Sequence, residues 1–202
     1  MLAYFCLSVK IFTIMRKLKT KELGRIDVEA FKAKEKHKLV LVLDNIRSAM
    51  NVGSFFRTAD AFALEKIYLC GISAKPPHKE INKTAIGATE SMQWQYLNNI
   101  SDCIINLKKE GYTIIGIEQT DGSIPLQDFS PDKDKKYALV FGNEVKGISD
   151  EILEYLDMAI EIPQFGTKHS FNVAVSGGIV LWHYMLKGVL SKDKKSKKQM
   201  NL

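Results

Sequence analysis

Three short stretches carry residue types able to do chemistry on a polar substrate. They are NVGSFFRTADAF (51–62) with Asn51 and Arg57, FGNEVKGIS (141–149) with Glu144, and IPQFGTKHSFN (162–172) with Ser170 and Asn172. An arginine can anchor an anion, and a carboxylate, a hydroxyl and two amides can hydrogen-bond and orient a polar ligand. Each residue alone also has an ordinary structural use. Asn51, read as a helix N-cap, satisfies an orphan backbone N–H; Glu144 sits at the tip of a turn bracketed by Gly142 and Gly147; Ser170 and Asn172 fall at a helix N-terminus. Gly53 lets the backbone come close to a neighbour or a ligand. Phe55, Ala59 and Phe62 recur at i, i+4 and i+7 as an apolar stripe, and Arg57 stands about 200° from Phe55, off that stripe.

The elements that must position these residues follow from hydrophobic patterning. LVLVLD (39–44) is a continuous apolar run, the mark of a strand buried on both faces. A helix follows over about 52–63, then a strand KIYLCG (66–71) and a loop through Pro76 and Pro77. MQWQYL (92–97), YTIIGIEQ (112–119), YALVFG (137–142) and MAIEIP (158–163) read as further strands. SDCIINLKKEG (101–111) reads as a helix with Ser101 as cap and Gly111 as stop. EILEYL is a short helix between the last two strands, and SFNVAVSGGIVLWHYMLK (170–187) is the last helix. Its interior Gly177 and Gly178 each cost roughly 1 kcal/mol against Ala, which implies a closely packed backbone there. Strands alternating with helices predict an α/β fold with a mostly parallel sheet covered on both faces. Ligands in such sheets bind beyond the carboxyl ends of strands, which selects the loops 44–53, 142–149 and 163–171. Neither GxGxxG nor GxxxxGK(S/T) occurs, which argues against a dinucleotide or P-loop site.

The chain has 202 residues, 46% of them hydrophobic, enough for one sizeable core. Residues 39–186 are expected to form one domain between a basic extension (1–38) and a Lys-rich tail (187–202). The extension carries ten basic and four acidic side chains and the tail six and one, so the body between them is net −5 within a total of +6. Residues 18–38 read as a surface helix or arm with a thin apolar set. Basic ends on a mildly acidic body suit phosphate contacts to a nucleic acid, and equally suit simple solubility. Cys6, Cys70 and Cys103 form no CxxC pair and the four histidines are scattered, so reduced thiols in a cytoplasmic protein and no metal site are expected. MLAYFCLSVKIFTI (1–14) lacks a basic leader and is split by Lys10; with Met15 opening a plausible start, a misassigned start is expected there rather than export or a membrane span.

In this order, the three stretches resemble the three motifs of the SpoU (TrmH-like) family of RNA ribose 2′-O-methyltransferases, within the SPOUT superfamily. The resemblance runs from about Leu39 to Tyr184. It implies a carboxyl-terminal trefoil knot, S-adenosyl-L-methionine bound in the knot, and a homodimer whose interface suits the nearly all-apolar last helix. It places Asn51, Arg57, Glu144, Ser170 and Asn172 at catalytic positions, and Gly142, Ile162 and Phe171 where the cofactor is held. Ala49 and Met50 stand where many members have Pro before the Asn, and Phe171 replaces the commoner Leu. The implied reaction is methylation of a ribose 2′-hydroxyl in structured RNA. A chain without room for the amino-terminal RNA-binding domain of rRNA-modifying relatives favours tRNA, held by 16–38 and 187–202. An rRNA substrate, a non-catalytic RNA-binding member of the same fold and a domain for another nucleotide are the alternatives.

Overall fold

The computed structural model describes residues 15–192; the segment 1–14 with Cys6 and the tail beyond Lys192 lie outside the described residues. Its centre is β1 (His37–Asp44), whose residues Leu39 to Asp44 are all buried. The alternation of side chains along this strand feeds two cores. Leu39, Leu41 and Leu43 point into one, with Phe55, Leu139, Phe141 and Val180; Val40 and Val42 point into the other, with Ile104, Leu107, Ile114 and Ile152. Burying a side chain of this size stabilises by roughly 1.5–3 kcal/mol, so a strand that serves both faces anchors the whole sheet.

After β1 come α2 (Ala49–Ala61), β2 (Leu64–Cys70), α3 (Lys79–Ala85), α4 (Ala88–Ser91) and β3 (Trp94–Leu97). Then follow α5 (Ile100–Lys109), β4 (Tyr112–Ile117), β5 (Ile124–Pro125), β6 (Lys136–Phe141), β7 (Met158–Glu161) and α6 (Val173–Tyr184); the small α1 (Val28–Ala33) precedes β1. The seven strands form one sheet in the order β3-β2-β1-β6-β4-β7-β5, every pair parallel. Leu41 of β1 sits level with Ile67 of β2 and Leu139 of β6, so the carboxyl ends of the central strands finish together. The insertion of β6 between β1 and β4 is consistent with the knotted path that the resemblance implies.

Local chemistry moves several element boundaries. Ser48, not Asn51, caps α2: its hydroxyl accepts the N–H of Asn51 at 3.3 Å, so the helix starts earlier and Asn51 lies in its first turn. Asn99 rather than Ser101 caps α5, accepting the Ser101 N–H at 2.7 Å. The arm expected over 18–38 holds a 3-10 turn at Thr20–Leu23, ended by Gly24 in the left-handed region, and α1 behind its Asp27 cap, and its last two residues already belong to β1. Phe31 is the one buried side chain of α1, too little apolar surface to hold a longer helix. EILEYL is a 3-10 segment, Asp150–Tyr155. The last helix is narrower than 170–187; Asn172 caps it and a π turn, Met185–Val189, continues it. Gly177 packs directly against the Phe55 ring, as its cost in a helix implied, whereas Gly178 faces open space. The same helix is buried on one side only and leaves Val175 and Trp182 about half exposed.

Candidate active site

The loops after β1, β6 and β7 meet at the carboxyl edge of the sheet. The loop after β6 is a tight hairpin in which Asn143 and Gly147 exchange backbone hydrogen bonds of 2.8 and 2.9 Å. The Asn143 side chain accepts the N–H groups of Val145 and Lys146 and donates to the Asn45 carbonyl at 2.7 Å, which ties the hairpin to the end of β1. Glu144 is thereby held over the start of α2. Its carboxylate accepts the backbone N–H groups of Arg47 (3.2 Å) and Ser48 (3.1 Å) and the Asn51 amide (3.0 Å). An anion here satisfies orphan N–H groups and meets the positive end of the helix dipole. Burial pushes the Glu144 carboxyl up; hydrogen bonds from its own N–H, from Asn51, Ser48 and Arg47 outweigh that and hold it below the usual carboxylate range.

Asn51 joins this loop to the third. Its Oδ1 accepts from Asn172 Nδ2 at 3.2 Å, while Asn172 Oδ1 accepts the N–H groups of Ala174 (3.0 Å) and Val175 (3.2 Å) as the cap of α6. The two backbone donors leave Asn172 only its amino group to offer, so Asn51 must present oxygen to Asn172 and nitrogen to Glu144. Donation therefore runs one way from α6 through Asn172 and Asn51 to Glu144, which ends the chain as the common acceptor of Asn51 and of the α2 entrance. Below it, Phe55 of α2 packs on Phe141 at the end of β6, with ring centroids 5.0 Å apart. Gly53 sets the depth of α2: a Cβ there would land on the Thr84 hydroxyl and the Ile81 carbonyl of α3. Its close neighbour is α3, not a ligand.

A cavity of about 520 Å³ opens beside the polar chain, floored by Ile117, Phe141 and Ile160 at the ends of β4, β6 and β7. That volume lies within the range of small-molecule sites. Gly142, Ile162 and Phe171 line it, as do Glu144, Ser170 and Asn172. Its charged walls are Glu118, Glu144 and Glu161 against Lys146, with His169 near the mouth. Apolar floor and acidic excess fit a ligand that pairs a flat aromatic group with fixed positive charge. Asn51 stands behind the wall, in contact with two of the lining residues. Arg57 is elsewhere: it is exposed on α2, does not line the cavity, and forms no salt bridge among the described residues.

Two site-shaping residues escaped the sequence reading. Glu118 accepts the N–H of Ile148 (3.0 Å) and of Gln119 (3.0 Å), so it clamps the base of the Glu144 hairpin from the end of β4. Asp44, fully buried, accepts the Ser149 N–H (2.7 Å) and the Asn45 amide (2.7 Å) and secures the other side. An acidic residue closing an apolar strand was the available signal for both, at LVLVLD and at YTIIGIE.

Comparison with known proteins gives a consistent set of likenesses. The model of a family described as the SpoU rRNA methylase family matches residues 38–182. An uncharacterized tRNA/rRNA methyltransferase of Borreliella burgdorferi is 34% identical over 168 residues, 82% of this chain and 71% of that protein. A tRNA (guanosine(18)-2′-O)-methyltransferase of Aquifex aeolicus is 30% identical over 74% of this chain and 69% of its own. The crystal structure of an AdoMet-bound rRNA methyltransferase from Sinorhizobium meliloti resembles this fold with a TM-score of 0.70 at 25% identity, covering 77% of this chain. This chain spans 59% of the length of that solved chain.

Proposed function

Because this chain belongs to the SpoU rRNA methylase family, we propose that it is an S-adenosyl-L-methionine-dependent methyltransferase acting on a ribose 2′-hydroxyl of structured RNA. The favoured substrate is tRNA over rRNA, in line with the Aquifex aeolicus relative. The observation that carries the reading is the directed chain Asn172–Asn51–Glu144 beside a cavity whose rim holds Ser170.

The cofactor supplies an electrophilic methyl group on a sulfonium. Gly142, Ile162 and Phe171 would hold it in the cavity, where Glu118 and Glu161 suit its positive charge. A ribose hydroxyl is a poor nucleophile and has to lose its proton as it attacks. Glu144 is ill suited to take that proton: its carboxyl is held below the usual range and its oxygens already accept three N–H groups of the α2 entrance. It orients Asn51 instead, and Asn51 with Asn172 and Ser170 shapes the rim that aligns the sugar. A guanidinium is a poor base and a good bidentate donor, so Arg57 serves as a phosphate anchor, with the substrate phosphate relaying the proton.

The active form is a homodimer, supported by the half-exposed Val175 and Trp182 on α6. Residues 39–186 form the methyltransferase domain, with 16–38 and 187–202 as RNA-holding arms in a cytoplasmic enzyme. Among the described residues no helix is long and apolar enough to cross a membrane.

Incubation of the purified protein with S-adenosyl-L-methionine and RNA from cells lacking it, followed by nucleoside mass spectrometry, is expected to yield a 2′-O-methylated nucleoside. Arg57→Ala should abolish that product while unfolding free energy stays within about 0.5 kcal/mol of the wild type, because the side chain is exposed and unpaired. RNA binding without a methylated product would overturn the assignment, and an active Arg57→Ala enzyme would overturn the role given to Arg57.

A further inference from the structure

The rim of the cavity carries side chains that neither the fold nor the methyl-transfer machinery uses. In the loop after β7, Gln164 and His169 both line the cavity and close on each other, the Gln164 amide donating to the His169 carbonyl at 3.5 Å. Between them the chain swings outward as Phe165, Gly166, Thr167 and Lys168, all exposed. Phe165 is 99% exposed. On the opposite lip, the Glu144 hairpin presents Val145, 85% exposed, and Lys146. Neither Lys146 nor Lys168 forms a salt bridge among the described residues. The carboxylates of this region are Glu118 and Glu161 in the cavity wall and Glu144, whose oxygens are taken up by the α2 entrance and Asn51.

An aromatic ring left wholly in water at a loop tip stabilises nothing in the free protein. Interleaved with unpaired cations, it has the composition of a surface for unstacked nucleic acid: the ring takes a base face and the ammonium groups take phosphates. A ribose that enters a protein cavity brings its nucleotide out of register with its neighbours, and the lost stacking has to be replaced. We propose that Phe165 is the stacking platform for a nucleobase at or next to the reacting ribose, with Lys168 and Lys146 holding the flanking phosphates from the two lips. The inference rests on the RNA methyltransferase reading and deepens it by naming the substrate contact. A second protein copy is the poorer occupant, because interface cores are depleted in lysine and α6 already offers an apolar face free of charge.

Steady-state kinetics of the full chain on its RNA substrate test this with Phe165→Ala, Phe165→Trp and Lys168→Ala. Phe165→Ala should raise the RNA KM about tenfold, the scale of one base stacked on an aromatic ring. The S-adenosyl-L-methionine KM and the melting temperature should stay at wild-type values, since the exposed ring packs on nothing. Phe165→Trp should restore the RNA KM, and Lys168→Ala should raise it with a shallower salt dependence of RNA binding. An active enzyme whose Phe165→Ala form keeps the wild-type RNA KM overturns the inference alone. So does a Phe165→Ala protein that sediments as a smaller species, which would assign the ring to a protein interface. A wild type that methylates no RNA overturns this inference and the functional reading together.

Discussion

Glu144 shows how one side chain can belong to the scaffold and the site at once. It accepts the Arg47 and Ser48 N–H groups that open α2 and the amide of Asn51. Because these bonds hold its carboxyl below the usual range, the folded protein binds that proton more weakly than the unfolded chain. The stabilisation is therefore complete above the ordinary glutamate pKa of about 4.3 and is lost as pH falls through the lowered value. Glu144→Gln should cost about 1 kcal/mol in urea unfolding at pH 7, solvent screening at this exposed position limiting the loss. The gap from wild type should close below about pH 4. Loss of methyl transfer should accompany it at neutral pH. The types and spacing of Asn51, Glu144, Ser170 and Asn172 were legible in the sequence; their partners were not. Ser48 looked like a loop residue, so Asn51 was given the capping role, and nothing local reveals that a carboxylate 96 positions away completes the helix entrance. Arg57 was rightly read as lying off the apolar stripe, but an azimuth on one helix does not say which surface the guanidinium faces.

At the scale of elements, strands buried on both faces announce themselves, and β1, β2, β4 and β6 were found within two residues of their ends. The helices α3 and α4 were missed. KEINKTA and ATES are too short to show a period, and α3 owes its shape to packing on α2 rather than to propensity. At Gly53 the two helices touch backbone to backbone. Thr84 reinforces it by donating to the Met50 carbonyl at 3.0 Å. Gly53→Ala should therefore destabilise by about 1–3 kcal/mol, the cost of overpacking a rigid contact, measured by chemical denaturation. The helix would be pushed off α3 only two residues from Asn51, so kcat/KM should fall as well. A variant with lost stability and intact kcat/KM would show that the polar chain tolerates movement of α2.

For the whole molecule, the parallel order of the sheet brings three loops from distant parts of the chain to one edge, and alternating strands and helices were enough to predict that edge. Which strands are neighbours was not legible, because nothing in an apolar run specifies its partner. The exposed side of α6 bears on assembly. Trp182, half exposed with its ring centroid 6.5 Å from that of Phe62 and tilted against it, is the largest apolar group on that side. Trp182→Asp should convert a dimer to a monomer in sedimentation velocity, with the far-ultraviolet circular dichroism retained. A wild type that sediments as a monomer at micromolar concentration would remove the dimer from the functional reading.

The late strand β6 lies between β1 and β4, although both are made before it. Until Phe141 has left the ribosome, β1, β2 and β3 form one sheet fragment with a bare edge, and β4 is a strand without a partner. Closure thus waits on a strand made after both of its neighbours, and such long-range pairing is slow and prone to aggregation. Yield of this protein in a recombinant host should accordingly respond more to elongation rate and chaperone supply than to growth at neutral or mildly acidic pH.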